Sequence, residues 1–393
     1  MKTRILVFFV FLYGISAWAQ VQIIGFWGIP PEMTSVERYR EMHDCGFDVG
    51  ISIFNNMQEI DKAMNCANQV GMKLIPWCPA VEKDVSKNVE KLRSYPAFYA
   101  YCIGDEPTMK KLKNFKDRLN VIKDVDTSFP FYINLAPSYG KETLEWLGVS
   151  NYSSYIHAAC VDLQLPYLSF DYYPVIKGRF GIKLRPNWFS CLEAIRRESL
   201  KMQIPFWTFV LSTPHSVYPR PTLASLRLQI YSSLAYGAQA IQYFTYWTPQ
   251  GDSKNSYSEA MISKQGKRTE LYYLVKKMNE ELHGFSSLFT EGKVVKVGHV
   301  GNNPDSSNPF TDYPSIFSQI NVETVDGAIV SLLEVGNAKY IMWVNTSLTK
   351  EIRIKNMPVS SRTVFRINKK LKKETLQSEY KLTEGDILIL QYQ

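Results

Sequence analysis

Histidine is scarce in this chain: there are five in 393 residues, at positions 43, 157, 215, 283 and 299. None falls in an HxH or HExxH pattern, which argues against a catalytic zinc site. The six cysteines contain no CxxC pair, so a zinc ribbon or dithiol redox motif is missing as well. There is no GxSxG nucleophile elbow and no Gly-rich phosphate loop. The basic residues are spread out, and their one short cluster, Lys369 to Lys373, is no nucleic-acid stripe. After the first twenty residues no apolar run is long enough to cross a bilayer. These absences remove metallohydrolases, serine hydrolases, nucleotide-dependent enzymes and nucleic-acid binders, and the sequence asks for no cofactor.

What is present points elsewhere. The length fits one large domain plus a small one. Aromatic residues are plentiful, with 24 Tyr, 21 Phe and 8 Trp; sugar sites use such rings as platforms, as large cores use them for packing. Residues 1–19 read as a secretion signal: Lys2 and Arg4 form the charged start, 5–15 the apolar middle, and Ala17-Trp18-Ala19 a small-x-small cleavage site. The run is too short for a membrane span and carries no Cys for a lipid anchor. Export to the periplasm or the exterior is therefore expected, and loss of Lys2 and Arg4 lowers the formal charge from +8 to +6 (8 − 2). Export permits disulfides, but Cys78 and Cys102 fall on expected core strands, where buried free thiols fit better.

From residue 22 to about 291, short apolar runs alternate with amphipathic helical patterns. The runs cover 22–29, 48–54, 73–79, 98–105, 131–136, 167–172, 205–211 and 240–246. Eight strand–helix pairs in this length predict a closed (β/α)8 TIM barrel over 20–291. An open doubly wound sheet is the second choice, and it lacks the Gly-rich turn after its first strand. From 292 to 393 strand-like runs recur without strong helices, which predicts a small antiparallel β-sandwich.

Active sites of such barrels lie at the C-terminal ends of the strands. Those ends carry Trp27, Asn55 and Asn56, Trp77, the pair Asp105-Glu106, Asn134, Asp171 with Tyr172 and Tyr173, Trp207 and Thr213, and Tyr246 with Trp247. Acids, amides and rings on one face are the mix a sugar needs. The fourth strand, Ala97 to Pro107, reads AFYAYCIGDEP. Period-two alternation places Ala100, Cys102, Gly104 and Glu106 inside the barrel, and Tyr99, Tyr101, Ile103 and Asp105 outside. Pro107 suits an early position in the following helix. A general acid at Glu106 needs a raised pKa, which burial and a neighbouring carboxylate both supply.

The sequences Gly104-Asp105-Glu106-Pro107, Phe170-Asp171-Tyr172-Tyr173-Pro174 and Tyr243-Phe244-Thr245-Tyr246-Trp247, with the attached sandwich, resemble the clan A glycoside hydrolases. The likeness is greatest to family 42 β-galactosidase-like proteins of the kind gut bacteria export. The resemblance implies hydrolysis of O-glycosidic bonds in an oligosaccharide or polysaccharide, with Glu106 as acid/base. Trp27, Asn55, Trp77, Asn134, Tyr172, Tyr173, Trp207, Tyr246, Trp247 and Asp252 are then candidate substrate contacts. Two departures stand out. The residue before the acid is Asp105 where the clan has Asn, and no Asp or Glu occurs between Glu198 and Asp252, where the clan places its nucleophile. Asp171 could be the second carboxylate, or Asp252 or Glu259 could enter from the loop after the eighth strand. Alternatively a 2-acetamido group on the substrate could be the nucleophile, oriented by Asp105, since the adjacent acids also resemble the β-hexosaminidase pair. The missing acid equally admits a glycan-binding protein on a degenerate barrel.

Overall fold

A computed structural model describes residues 22–128, 130–251, 256–302, 307–358 and 364–393. The expected signal segment 1–19 and the candidate Asp252 lie outside the described residues. Eight parallel strands form the first part of the fold: Gln22–Phe26, Val49–Ile53, Lys73–Trp77, Tyr101–Asp105, Phe131–Leu135, Leu168–Phe170, Phe206–Leu211 and Ala240–Phe244. Their order runs third, second, first, eighth, seventh, sixth, fifth, fourth. The ring closes where Leu74 of the third strand bridges Phe98 in parallel, through Leu74 N–H to Ala97 O (2.7 Å) and Tyr99 N–H to Leu74 O (2.9 Å). This is a TIM barrel.

Alternation sorts its side chains into two cores. Ile24, Phe26, Val49, Ile51, Ile75, Ala100, Tyr132, Trp207 and Phe209 fill the inside. Ile23, Leu74, Tyr101, Ile103, Ile133, Val210 and Ile241 face the helical layer. Helix starts are fixed by side-chain caps at Ser35, Asn56, Asn151, Thr222 and Thr269, each satisfying an amide that the first turn leaves without a partner. The helix Leu223–Ala235 buries most of its residues, Ser225, Gln229, Ser232 and Ser233 among them, because it is covered twice, by the barrel and by the C-terminal sheet.

The C-terminal part is a sandwich of a six-stranded and a three-stranded sheet, antiparallel throughout. Between the sheets lie Val330, Ile341, Trp343, Ile354, Tyr380 and Leu390. The large sheet turns its other face, with Ile329, Leu333, Met342, Val344 and Ile389, onto the barrel's helical core. A charged cluster ties the two parts together. Arg227 grips Glu281 with two hydrogen bonds, and Lys369 bridges Glu281 and Asp386 at 2.8 Å each.

Three features depart from the sequence reading. A hairpin, Val175–Gly178 with Gly181–Leu184, follows the sixth strand; its two four-residue arms are too short for a periodic signal. The sandwich gains Lys373–Glu374 and Glu379–Leu382, short edge strands in polar sequence. Pro107 is not in a helix: the helix Met109–Lys123 is preceded by Thr108, and the Pro107 carbonyl is held by the Tyr155 hydroxyl at 2.7 Å. All six cysteines are free thiols; Cys102 is half-buried inside the barrel and the others are buried.

Candidate active site

The fourth strand does not keep its alternation. It pairs with the fifth as Cys102 with Tyr132, then Gly104 with Ile133 and Asp105 with Asn134, so one residue is bulged out. The extra residue reverses the parity of everything after it. Gly104 therefore faces outward, where a Cβ would stand 2.6 Å from the Phe115 ring, and Asp105 turns inward. This corrects the expected faces of both residues. Tyr99 also lies against the inner core, because the regular strand begins only at Tyr101.

Glu106 follows with φ at +44°, a left-handed value rare for a side chain of its kind. Its N–H donates to Asn134 O at 2.9 Å. The bulge and this turn together bring two consecutive acids to the same mouth, which a plain strand cannot do. Asp171, from the end of the sixth strand, is the third. It is buried and hydrogen-bonded to Glu106.

One amide organises the trio. Asn134 Nδ2 donates to Asp105 Oδ1 at 3.1 Å and to Asp171 Oδ1 at 2.9 Å. Its own oxygen accepts from Ser169 Oγ at 2.9 Å, which takes a hydrogen bond from Gln242 Nε2 (2.8 Å), whose oxygen accepts from Tyr132 (2.9 Å). The chain inside the barrel thus fixes which end of the amide meets the acids.

The electrostatics follow from crowding. Asp105 is open to water at the mouth but set deep among protein atoms. Burial, helped by the Glu106 charge, pushes its carboxyl up to about 7. Burial likewise raises Glu106. Asp171 is driven well above the carboxylate range by burial and then by the charges of Glu106 and Asp105. Three carboxyls this close cannot all ionise near neutrality, so the site holds protons that can be given away.

Rings wall the mouth. Phe244, half-buried, contacts Phe26, Trp27, Tyr173 and His215 at centroid distances of 5.2–6.0 Å. Trp77 lies against Phe26. Tyr139 receives the Tyr173 N–H (3.2 Å), and Arg185 stacks over it at 4.3 Å while donating to the Tyr218 hydroxyl (3.2 Å). A cavity of about 450 Å³ flanks the mouth beside the first and eighth strands. Trp27, Trp247 and Tyr257 line it, and the three acids do not.

Other sequence candidates sit elsewhere. Asn55 is exposed and bonded to Glu59 at a helix start. Tyr172 is buried, with its hydroxyl on Asn187 at 2.5 Å. Trp207 lies under the mouth, stacked on Tyr167 at 3.6 Å. Tyr246 is fully buried in the outer core against Phe47. The sequence reading passed over Phe244, Tyr139, Tyr218, Ser169 and Gln242. The last two carried a signal, as polar residues inside apolar strands. The seventh strand ends in Ser212 and Thr213, both buried with their hydroxyls on backbone carbonyls at 3.3 Å. Among the described residues no cluster is placed to hold a metal ion.

Comparison with known proteins agrees with this architecture. Residues 111–285 match the family model Glyco_hydro_42, described as beta-galactosidase. The match starts five residues after Glu106 (111 − 106) and spans under half of the chain. A β-galactosidase from Bacillus circulans sp. alkalophilus superposes with a TM-score of 0.64 at 9% identity, over 95% of this chain and 99% of that one. A catalytic mutant of a GH42 β-galactosidase from G. stearothermophilus gives 0.59 at 8%, over 95% and 98%. This chain spans only 60% of the β-galactosidase from the psychrophilic Marinomonas ef1, matching 67% of its own length at a TM-score of 0.47 and 10% identity. No curated protein matches. The chain has a fold like that of family 42 glycoside hydrolases, as its sequence resemblance implied.

Proposed function

We propose that this protein is an exported glycoside hydrolase in which Glu106 protonates the glycosidic oxygen of an oligosaccharide or polysaccharide. The observation that carries the reading is the placement of Glu106 at the C-terminal mouth of the barrel, where burial raises its pKa and outweighs the lowering by the neighbouring Asp171. A general acid needs such a proton reserve near working pH. The β-galactosidases of like fold support a glycosidic substrate, and the charged, apolar and small-residue pattern of 1–19 supports export.

Glu106→Gln tests it. An enzyme loses about 10²–10⁴-fold in turnover, the usual contribution of a general acid, and still binds sugar. One observation favours a second reading, a glycan-binding barrel: the seventh strand ends in hydroxyls rather than an acid. That protein binds sugar and turns over nothing with either side chain.

A further inference from the structure

This inference rests on the reading of the mouth as a glycan site and adds the charge of the glycan. We propose that the substrate carries an anionic group, a carboxylate or a sulfate, and that Arg185 and Lys183 of the hairpin after the sixth strand bind it beside the mouth.

The sequence concentrates charge of one sign here. Between Tyr172 and Leu192 there are four cations, Lys177, Arg179, Lys183 and Arg185, and no Asp or Glu. The loop after the seventh strand, residues 212–221, supplies no acid either. Among the described residues none of the four cations forms an ion pair. The hydrogen-bond partners of Lys177 and Arg185 are neutral, the Ser216 carbonyl and the Tyr218 hydroxyl. Cations elsewhere in the fold, such as Arg227 and Lys369, are matched by carboxylates.

The hairpin register decides which of the four reach the mouth. Ile176 pairs with Lys183, and the ladder continues through Arg185 N–H to Pro174 O at 2.8 Å. Ile176, Lys183 and Arg185 therefore share one face. Ile176 packs against the core inside the barrel, so this face is the one turned to the mouth. Arg185 lies there over two rings of the wall, 4.3 Å from the Tyr139 centroid and 5.6 Å from that of Tyr218. The Tyr139 hydroxyl in turn accepts the N–H of Tyr173, two residues past Asp171 (173 − 171). Lys183 is exposed beside it.

Stacking on rings fixes a guanidinium without neutralising it. Of its five N–H groups, one donates to the Tyr218 hydroxyl at 3.2 Å, and Nε is buried with no partner among the described residues. Arg185 makes no ion pair with Asp105, Glu106 or Asp171, so its charge does not serve the trio. A planar cation held in place with N–H groups to spare matches the paired oxygens of a carboxylate or sulfate. A neutral glycan leaves it and Lys183 unmatched.

The test measures binding and turnover with three forms of one β-1,4-galactan: the neutral chain, the chain sulfated at O6, and the chain oxidised at C6 to the carboxylate. At least one anionic form is expected to bind about 10–100-fold tighter than the neutral chain, the range of a charge-assisted pair, and the form that does so names the anion. The preference is expected to shrink as salt is raised. It is expected to fall toward unity in Arg185→Gln and in part in Lys183→Gln, an exposed position whose change leaves the Arg185 stacking intact. Lys372→Gln, on the basic run of the sandwich, is expected to keep it. Equal binding of all three forms overturns the inference, as does an equal loss in Lys372→Gln and Lys183→Gln, the mark of polyanion adsorbing on a basic protein. Turnover of the neutral chain in either case leaves the hydrolase standing. An anion preference lost in Arg185→Gln, with no turnover of any form, supports the inference and overturns the hydrolytic reading.

Discussion

Asn134 carries two of the three carboxyls on a single amide, and its donation favours their charged forms. A hydrogen bond to a charged group contributes about 1.5–3 kcal/mol. Asn134→Ala therefore raises both acids further, and the acidic limb of the kcat/KM profile moves up by about one pH unit or more. An unmoved limb shows that the amide does not set the trio's charge. At this scale the sequence was informative about the acids and Asn134, because polar residues at strand ends have few structural uses. It was poor on the rings. Tyr246 and Phe244 are two residues apart, yet Phe244 walls the mouth and Tyr246 packs outward. Past the last ladder pair the chain no longer alternates, so counting by twos stops working.

The fourth strand shows the same limit at the scale of an element. Its place in the barrel was legible from its apolar run and the acids that close it. The bulge was not, since nothing in the alternation of YCIGD marks where a ladder skips a residue; the packing of Gly104 on Phe115 does. Gly104→Ala forces a methyl against that ring, and overpacking of this kind costs about 1–3 kcal/mol. The variant is expected to melt earlier and to lose turnover more than binding, because the acids shift with the strand. Thermal unfolding and a kcat-against-KM comparison measure both; unchanged stability shows that the ring moves aside freely.

In the whole molecule, the barrel and sandwich are joined by half-buried Glu281 and buried His299, whose contributions to stability fall in the same direction of pH. Burial works against the Glu281 charge, but hydrogen bonds from Arg227 and Lys369 outweigh it and hold the carboxyl at about 2, below its ordinary 4.5. That contribution is complete above 4.5 and is lost as pH falls toward 2. His299, beside the Tyr236 hydroxyl at 2.8 Å, is pushed down by burial to about 4. The unfolded chain takes its proton first, so stability also falls from about pH 6.5 to 4. Each step is on the order of 3 kcal/mol from the size of the shift. Urea unfolding across this range is expected to show both losses, the upper one absent in His299→Gln and the lower one in Glu281→Gln. A pH-independent unfolding free energy contradicts this account of the joint. The two-part layout was readable from the change of pattern near residue 291, whereas the charged cluster was not, because its members lie up to 159 positions apart (386 − 227).

The most direct test of the proton donor compares leaving groups. An aryl glycoside whose phenol departs readily needs little help, and one with a poor leaving group needs a full proton. In Glu106→Gln the account predicts near-normal cleavage of the 2,4-dinitrophenyl glycoside and a loss of about 10²–10⁴-fold on the 4-methoxyphenyl glycoside. An equal loss on both, or none on either, contradicts it.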